Sequence, residues 1–283
     1  MFKRLFLCLI IILCALFPVF SMRTACLNSS IADLWKLAGG SVDITVAEAQ
    51  ERGFADDSAI LVDSSSGRNI NLEVLISAEP DLVLGSVDTE SHVRLKAFLC
   101  DISVDMLLIK QDSFDDFLSI FKTLTGITGR NDLYQEYGEG QREGIEELIE
   151  AAKEAEKKPR VLFIRAGSAF SYVKAKRAED HFAARIIEEL GGINVADEVE
   201  ALTDSISLEA ILNTDIDKII IVSQGDEGAS RSYVENLFSQ PGWRDVKAIR
   251  EDAVVFLPKE LFHFKPNGRW LEAYGVMKEV LYG

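Results

Sequence analysis

Asn71-Leu72-Glu73-Val74-Leu75 runs into Pro80-Asp81-Leu82-Val83-Leu84-Gly85, and the order returns in Ser207-Leu208-Glu209-Ala210-Ile211 followed by Asp217-Lys218-Ile219-Ile220-Ile221-Val222. In both stretches an Asp stands eight residues after the Glu. Each reads as a short helix feeding a buried apolar strand. The repeat extends outward. Upstream of the first copy lie Leu27-Asn28-Ser29-Ser30, a helical stretch, and Ala38-Gly39-Gly40. Upstream of the second lie the strand Arg160-Val161-Leu162-Phe163-Ile164, then Arg165-Ala166-Gly167-Ser168, a helix, and Leu190-Gly191-Gly192. Two similar α/β lobes are therefore expected, with a cleft between them that holds a small molecule.

Apolar runs predict strands over 24–27, 42–45, 82–85, 104–109, 161–165, 218–222 and 253–257. Helices are expected over 31–38, 71–79, 113–125, 178–190, 207–213, 229–238 and 268–281. Strands alternating with helices imply an α/β fold with mainly parallel sheets covered on both faces. Between the copies, residues 132–158 are rich in Glu, Lys and Ala, with Ile145, Leu148, Ile149 and Ala152 on one stripe. This stretch predicts a single long connecting helix stopped before Pro159. It separates an N-terminal lobe, 22–131, from a C-terminal lobe, 159–283.

The first 21 residues read as a signal peptide. Lys3 and Arg4 form a positive start, Leu5 to Phe17 an apolar stretch short for a membrane span, and Val19-Phe20-Ser21 a cleavage site. An uncleaved anchor helix is the alternative. Acylation at Cys26 is disfavoured, because Arg23 stands where an aliphatic residue is usual and Cys26 falls within the first strand. Of the chain's four cysteines, Cys8 and Cys14 belong to the leader. Cys26 and Cys100 lie among apolar residues, as a disulfide or as buried thiols. The 283-residue chain carries 30 Lys and Arg against 46 Asp and Glu, a net charge of −16. That argues against nucleic acid and anionic lipid as partners, while leaving an anionic ligand open.

In open α/β sheets, ligands meet the loops at the carboxyl ends of strands. The candidates are Asn28, Ser29, Ser30, Ser86 and Asp88 from the first lobe, and Arg165, Ser168 and Gln224 from the second. His263, Phe264, Lys265, Arg269 and Trp270 follow the last strand. Arg165 leaves an apolar strand directly into such a loop. Arg with aromatic groups suits a flat or anionic ligand, by bidentate pairing and stacking. Core packing suits Phe264 and Trp270 equally well, and Lys265 and Arg269 also suit pairing with nearby acids. His92, His181 and His263 are scattered, and no metal-binding spacing is present in the sequence. His92 or His181 following a cleft loop could instead reach a metal centre inside a ligand. No Gly-x-Ser-x-Gly, phosphate loop or spaced nucleophile–base pair occurs.

These pieces, in order, resemble the solute-binding proteins of ABC importers that carry ferric siderophores, haem and cobalamin. Besides the repeated stretches, the resemblance rests on Leu124-Thr125-Gly126-Ile127-Thr128-Gly129-Arg130, Gly191-Gly192-Ile193-Asn194, Pro241-Gly242-Trp243 with Ala248-Ile249-Arg250, and Phe262-His263-Phe264-Lys265-Pro266-Asn267-Gly268-Arg269-Trp270. It implies two Rossmann-like lobes joined by one long helix. It also implies docking of Glu73 and Glu209, one per lobe, onto arginine pockets of a permease dimer. The usual extension before the first strand is nearly absent here. The expected protein is an exported monomer, in the periplasm or on the outer face of the cytoplasmic membrane. It has no catalytic residues and no cofactor of its own, and it binds an iron- or cobalt-containing chelate. A protein of the same fold for an amino acid or similar solute, and a chelatase-like enzyme or sensor, are the alternatives.

Overall fold

The computed structural model describes residues 22–63, 69–169, 172–204 and 206–283. The leader, 1–21, lies outside the described residues. Chain order is β1 (Thr24–Cys26), α1 (Ser29–Leu37), β2 (Ile44–Thr45), β3 (Ile60–Leu61), α2 (Leu72–Ser77), β4 (Leu82–Ser86), α3 (Glu90–Asp101), β5 (Asp105–Ile109) and α4 (Phe114–Thr128). After the connector come α5 (Arg142–Lys153), β6 (Arg160–Ala166), β7 (Lys174–Ala175), α6 (Phe182–Glu189), β8 (Ile193–Asn194), α7 (Leu208–Leu212), β9 (Lys218–Ser223), α8 (Glu227–Phe238), β10 (Val254–Phe256) and α9 (Trp270–Tyr282). The first sheet is parallel throughout, in the order β3-β2-β1-β4-β5. The second runs β10-β9-β6-β7, with β8 also beside β6 and β7 antiparallel.

The most apolar of the predicted strands lie inside the sheets, whereas β10 at an edge is only half-buried. Ile219 to Val222 of β9 and Leu82 to Gly85 of β4 are buried, so each is apolar on both sides. Local chemistry sets the helix ends. Ser113 caps α4 by accepting the N–H of Asp116 at 3.1 Å, and Gly129 ends it at φ 73°. Asn71 accepts the N–H of Val74 at 3.2 Å to open α2, and Ser207 does the same for Ala210 at 3.3 Å in α7. The two copies of the motif thus fold alike. Gly85 has a packing reason: a Cβ there would sit 2.4 Å from Met106 Cε on β5, displacing that side chain, and 3.3 Å from His92 Cβ on α3, a tight contact.

The connector departs from the single regular helix expected over 132–158. A short α-turn, Asn131–Leu133, leads into a π-turn, Tyr134–Gly138, a 3-10 turn, Glu139–Gln141, and then α5. Gly138 and Gly140 weaken regular winding. The altered pitch lets Tyr134 donate to Glu139 at 2.6 Å and turns Gln141 inward, where its Oε1 accepts the N–H of Leu271 at 2.9 Å. The helix ends at Lys153, because Ala152 is its last buried residue and none of 154–158 is buried. Lys157 instead pairs with Asp217 at 2.9 Å.

An aromatic cluster joins the lobes. Trp270 packs against Phe114, Phe117 and Phe182, at ring-centroid distances of 6.1, 6.2 and 5.7 Å. Beside it, Asn267 is buried at φ 49° and ties the C-terminal segment to the first lobe. It accepts from Gln111 at 2.8 Å and donates to Ser30 O at 3.0 Å and Asp33 at 2.6 Å. Cys26 is buried in β1, where desolvation and then Asp43 push its thiol up, whereas Cys100 is exposed on α3. Both are free, so neither the disulfide nor a buried Cys100 is present. Among the described residues no helix is long and apolar enough to cross a membrane.

Candidate functional site

The carboxyl ends of β1, β4, β5 and β6 converge on a cleft of about 720 Å³ between the lobes, within the usual range of small-molecule sites. From the first lobe it is lined by Asn28, Ser30 and Ile31, by Ser86, Asp88 and Thr89, and by Ile109, Gln111 and Asp112. The facing wall has Arg165, then Glu179, Asp180, His181 and Phe182 at the start of α6, and His263, Phe264 and Lys265.

Of the candidates read from the sequence, Asn28, Ser30, Ser86, Asp88, Arg165, His263, Phe264 and Lys265 line this cleft. Five do not. Ser29 is buried away from it, donating to Glu48 and accepting from Arg52. Ser168 and Gln224 are exposed outside it. Arg269 forks onto Glu272 with bonds of 2.6 and 2.7 Å. Trp270 is fully buried in the aromatic cluster, the core role its apolar neighbours allowed. Gln111 and Asp112 were missed although they follow β5, where the strand-end rule applies as it does elsewhere. Glu179 to His181 precede α6 and Phe182 opens it, so the strand-end rule does not select them. His181 is not inside a helix but caps one, its Nδ1 accepting the N–H of Ala183 at 3.1 Å.

Arg165 sits on β6 opposite Val222 and Lys174. Burial pushes its guanidinium below the ordinary range. Its Nη2 lies 3.4 Å from His263 Nδ1, and its buried Nε has no hydrogen-bond partner. His263 is pushed down to about 4 by burial, then by Arg165, Lys259 and Arg52. His181 is held well below 6.5 by burial, then by Arg165 and Lys265. Both rings are therefore neutral near pH 7. Lys265 spans to the opposite wall, 3.1 Å from Asp112 and 3.6 Å from Asp88. Arg177 holds Glu179 at 2.5 Å and Asp180 at 3.1 Å. The Arg52 guanidinium lies 3.5 Å from the centroid of the Phe264 ring, fixing that ring at the cleft edge.

His92, a candidate for reaching a ligand metal, is buried behind the cleft and accepts the N–H of Ser86 through Nδ1 at 3.1 Å. Among the described residues no group of three His, Cys, Asp or Glu side chains converges as a metal site. Glu73 and Glu209 lie away from the cleft. Each is exposed at the second position of its short helix, α2 or α7, where a carboxylate is favoured by the helix dipole. An exposed apolar residue follows each by one turn, Ile76 and Leu212.

Two α/β lobes with one cleft at their strand ends define a two-lobe solute-binding architecture. The profile of the periplasmic binding protein family matches residues 24–261, and the chain belongs to that family. The solved structures it resembles include the Staphylococcus aureus protein IsdE complexed with heme, at 15% identity, covering 93% of this chain and 99% of that one, with a TM-score of 0.76. The periplasmic vitamin B12 binding protein BtuF of Vibrio cholerae is 16% identical, over 92% of this chain and 96% of that one, with a TM-score of 0.73. The siderophore binding protein BauB, bound to a complex of two acinetobactin molecules and ferric iron, is 17% identical over 92% of each chain, with a TM-score of 0.71. At these identities the likeness is one of fold. No curated protein matches the sequence.

Proposed function

We propose that this protein captures a metal chelate (a ferric siderophore, haem or a corrinoid) outside the cytoplasmic membrane and delivers it to the permease of an ABC importer. The observation that carries this reading is the cleft itself. It is large enough for a whole chelate and is lined by the Arg165 guanidinium, whose one side-chain contact among the described residues is His263. Neighbours of the same fold named for heme, vitamin B12 and a ferric siderophore support it. The cleft offers recognition groups on both walls, and the ligand is returned unchanged. For delivery, Glu73 and Glu209 present one exposed carboxylate from each lobe to paired arginine pockets, and Ile76 and Leu212 add apolar contact beside them. Working as an exported monomer, the protein needs no cofactor.

Native mass spectrometry and visible absorption of protein purified from its own host test the reading. A retained mass carrying iron or cobalt, with visible colour, is expected. A retained colourless amino acid or similar solute would replace it with the non-metal alternative, and conversion of the bound solute would favour an enzyme.

A further inference from the structure

Two imidazoles flank Arg165 in the cleft, and the hydrogen bonds they make decide which nitrogen carries the proton. His181 Nδ1 accepts the backbone N–H of Ala183 at 3.1 Å. A ring nitrogen that accepts is bare, so the proton of the neutral ring sits on Nε2. His263 Nδ1 faces Arg165 Nη2 at 3.4 Å. A guanidinium only donates, so this Nδ1 also accepts and its proton too is on Nε2. A metal bond needs a free nitrogen lone pair. In both rings that lone pair is already engaged. Moving the proton to Nδ1 would uncap α6 in one case and set an N–H against a guanidinium in the other.

The charges around these groups add a second constraint. Lys265 is engaged with Asp88 and Asp112, and Arg177 with Glu179 and Asp180. Among the described residues Arg165 has no carboxylate partner, and its Nε is a buried donor with nothing to bond. Nε, almost without accessible surface, lies behind the cleft wall; the Nη end lines the cleft with, among the described residues, only the His263 contact, so an acceptor oxygen on the ligand is its natural partner. Beyond that position, carboxylates line both walls and oppose further negative charge.

We infer that the ligand is a coordinatively saturated chelate of low net charge, gripped through its peripheral oxygens by Arg165, His181 and His263, with no protein atom bonded to its metal. This rests on the metal-chelate reading above and narrows it to a saturated complex of low charge, such as a neutral trihydroxamate or a six-coordinate corrinoid. A polyanionic tricatecholate and a haem awaiting an axial ligand are set aside.

The test titrates the mature protein, by tryptophan fluorescence and calorimetry, with a neutral ferric trihydroxamate, its gallium(III) counterpart, a ferric tricatecholate, haemin and cyanocobalamin. The trihydroxamate is expected to bind about equally with iron and gallium, without change in the iron absorption band, and about a hundredfold tighter than the tricatecholate. Haemin bound with a histidine-ligated Soret spectrum that His181→Gln or His263→Gln abolishes would overturn the inference and leave the metal-chelate reading standing. Equal affinity for the tricatecholate would overturn the charge argument in the same way. If no metal chelate binds and a colourless solute co-purifies, the inference falls together with the reading beneath it.

Discussion

Asp217 and Arg160 are bonded to each other twice: Asp217 Oδ2 accepts the Arg160 N–H at 3.0 Å, and Arg160 O accepts the Asp217 N–H at 2.8 Å. Asp81 and Arg23 repeat the arrangement in the other lobe, at 2.7 and 2.8 Å. The Asp eight residues after each Glu is therefore a clasp that fixes the entry of the central strand, β6 or β1. The two clasps differ in burial. Asp217 is 11% exposed and also holds Lys157 and Lys247 at 2.9 and 2.7 Å, whereas Asp81 is exposed. Burial raises the Asp217 carboxyl, but the Arg160 N–H and the two lysines outweigh it and hold the group well below the usual carboxylate range.

Asp217→Ala is accordingly expected to cost about 2–4 kcal/mol of unfolding free energy, against about 1 for Asp81→Ala. The wild-type contribution of Asp217 is present above the ordinary carboxylate pKa and fades as pH falls below it. Urea titrations of both variants decide this, and equal losses would count against the clasp asymmetry.

Arg165→Ala and Trp270→Ala are expected to part company. The first removes an unsatisfied buried donor and should change stability by less than about 1 kcal/mol, while weakening binding of the retained ligand by about 2–5 kcal/mol. The second opens the aromatic cluster and should cost about 3–5 kcal/mol of stability. Trp270→Phe, which keeps a ring there, should retain ligand affinity. Calorimetric titration beside thermal unfolding separates the two, and a specific affinity loss in Trp270→Phe would put that ring back in the site.

On the docking proposed above, Glu73→Lys with Glu209→Lys should abolish uptake in reconstituted vesicles and leave ligand affinity intact, because like charges would then face the proposed arginine pockets. Each single variant should transport at a reduced rate, since one lobe can still engage. Normal transport by the double variant would leave both residues as helix-start acids and nothing more.

Stability should fall on mild acidification. Burial lowers the His92 pKa from 6.5 to about 4, so the unfolded chain binds a proton that the folded one refuses. The contribution is complete above pH 6.5 and is lost as pH drops from 6.5 toward 4, on the order of 3 kcal/mol from this ring. His92→Asn can still accept the Ser86 N–H without titrating. Its unfolding free energy should therefore vary less steeply across that interval, and identical slopes would exclude His92 as the source.

Much of the fold was legible in the linear chain because its causes are local. The apolar runs at 82–85 and 218–222 could be buried on two faces only inside covered parallel sheets. Asn71 and Ser207 are caps by virtue of the N–H groups three residues on. The repeat of Glu and Asp at one spacing gave two lobes, and with two lobes a cleft. The connector was legible as helical but neither its stop nor its irregular start was: the helix ends at Lys153, short of Pro159, and Gln141 in the 3-10 turn meets Leu271, 130 residues away in the sequence.

The membership of the cleft belonged to the tertiary structure. A strand-end loop exposes several side chains, and which of them faces the cavity depends on what packs behind it. Ser29 turned to Glu48 and Arg52 while its neighbours Asn28 and Ser30 faced inward. Trp270 was drawn into the core because α9 crosses back over α5 and α6, and Asn267 anchors that crossing on the first lobe. The same crossing carries Lys265 to Asp112 and sets His263 beside Arg165. Short-range propensity determines elements and their ends. The direction of a side chain at a site is settled by contacts between residues far apart in the chain, and only the folded molecule brings them together.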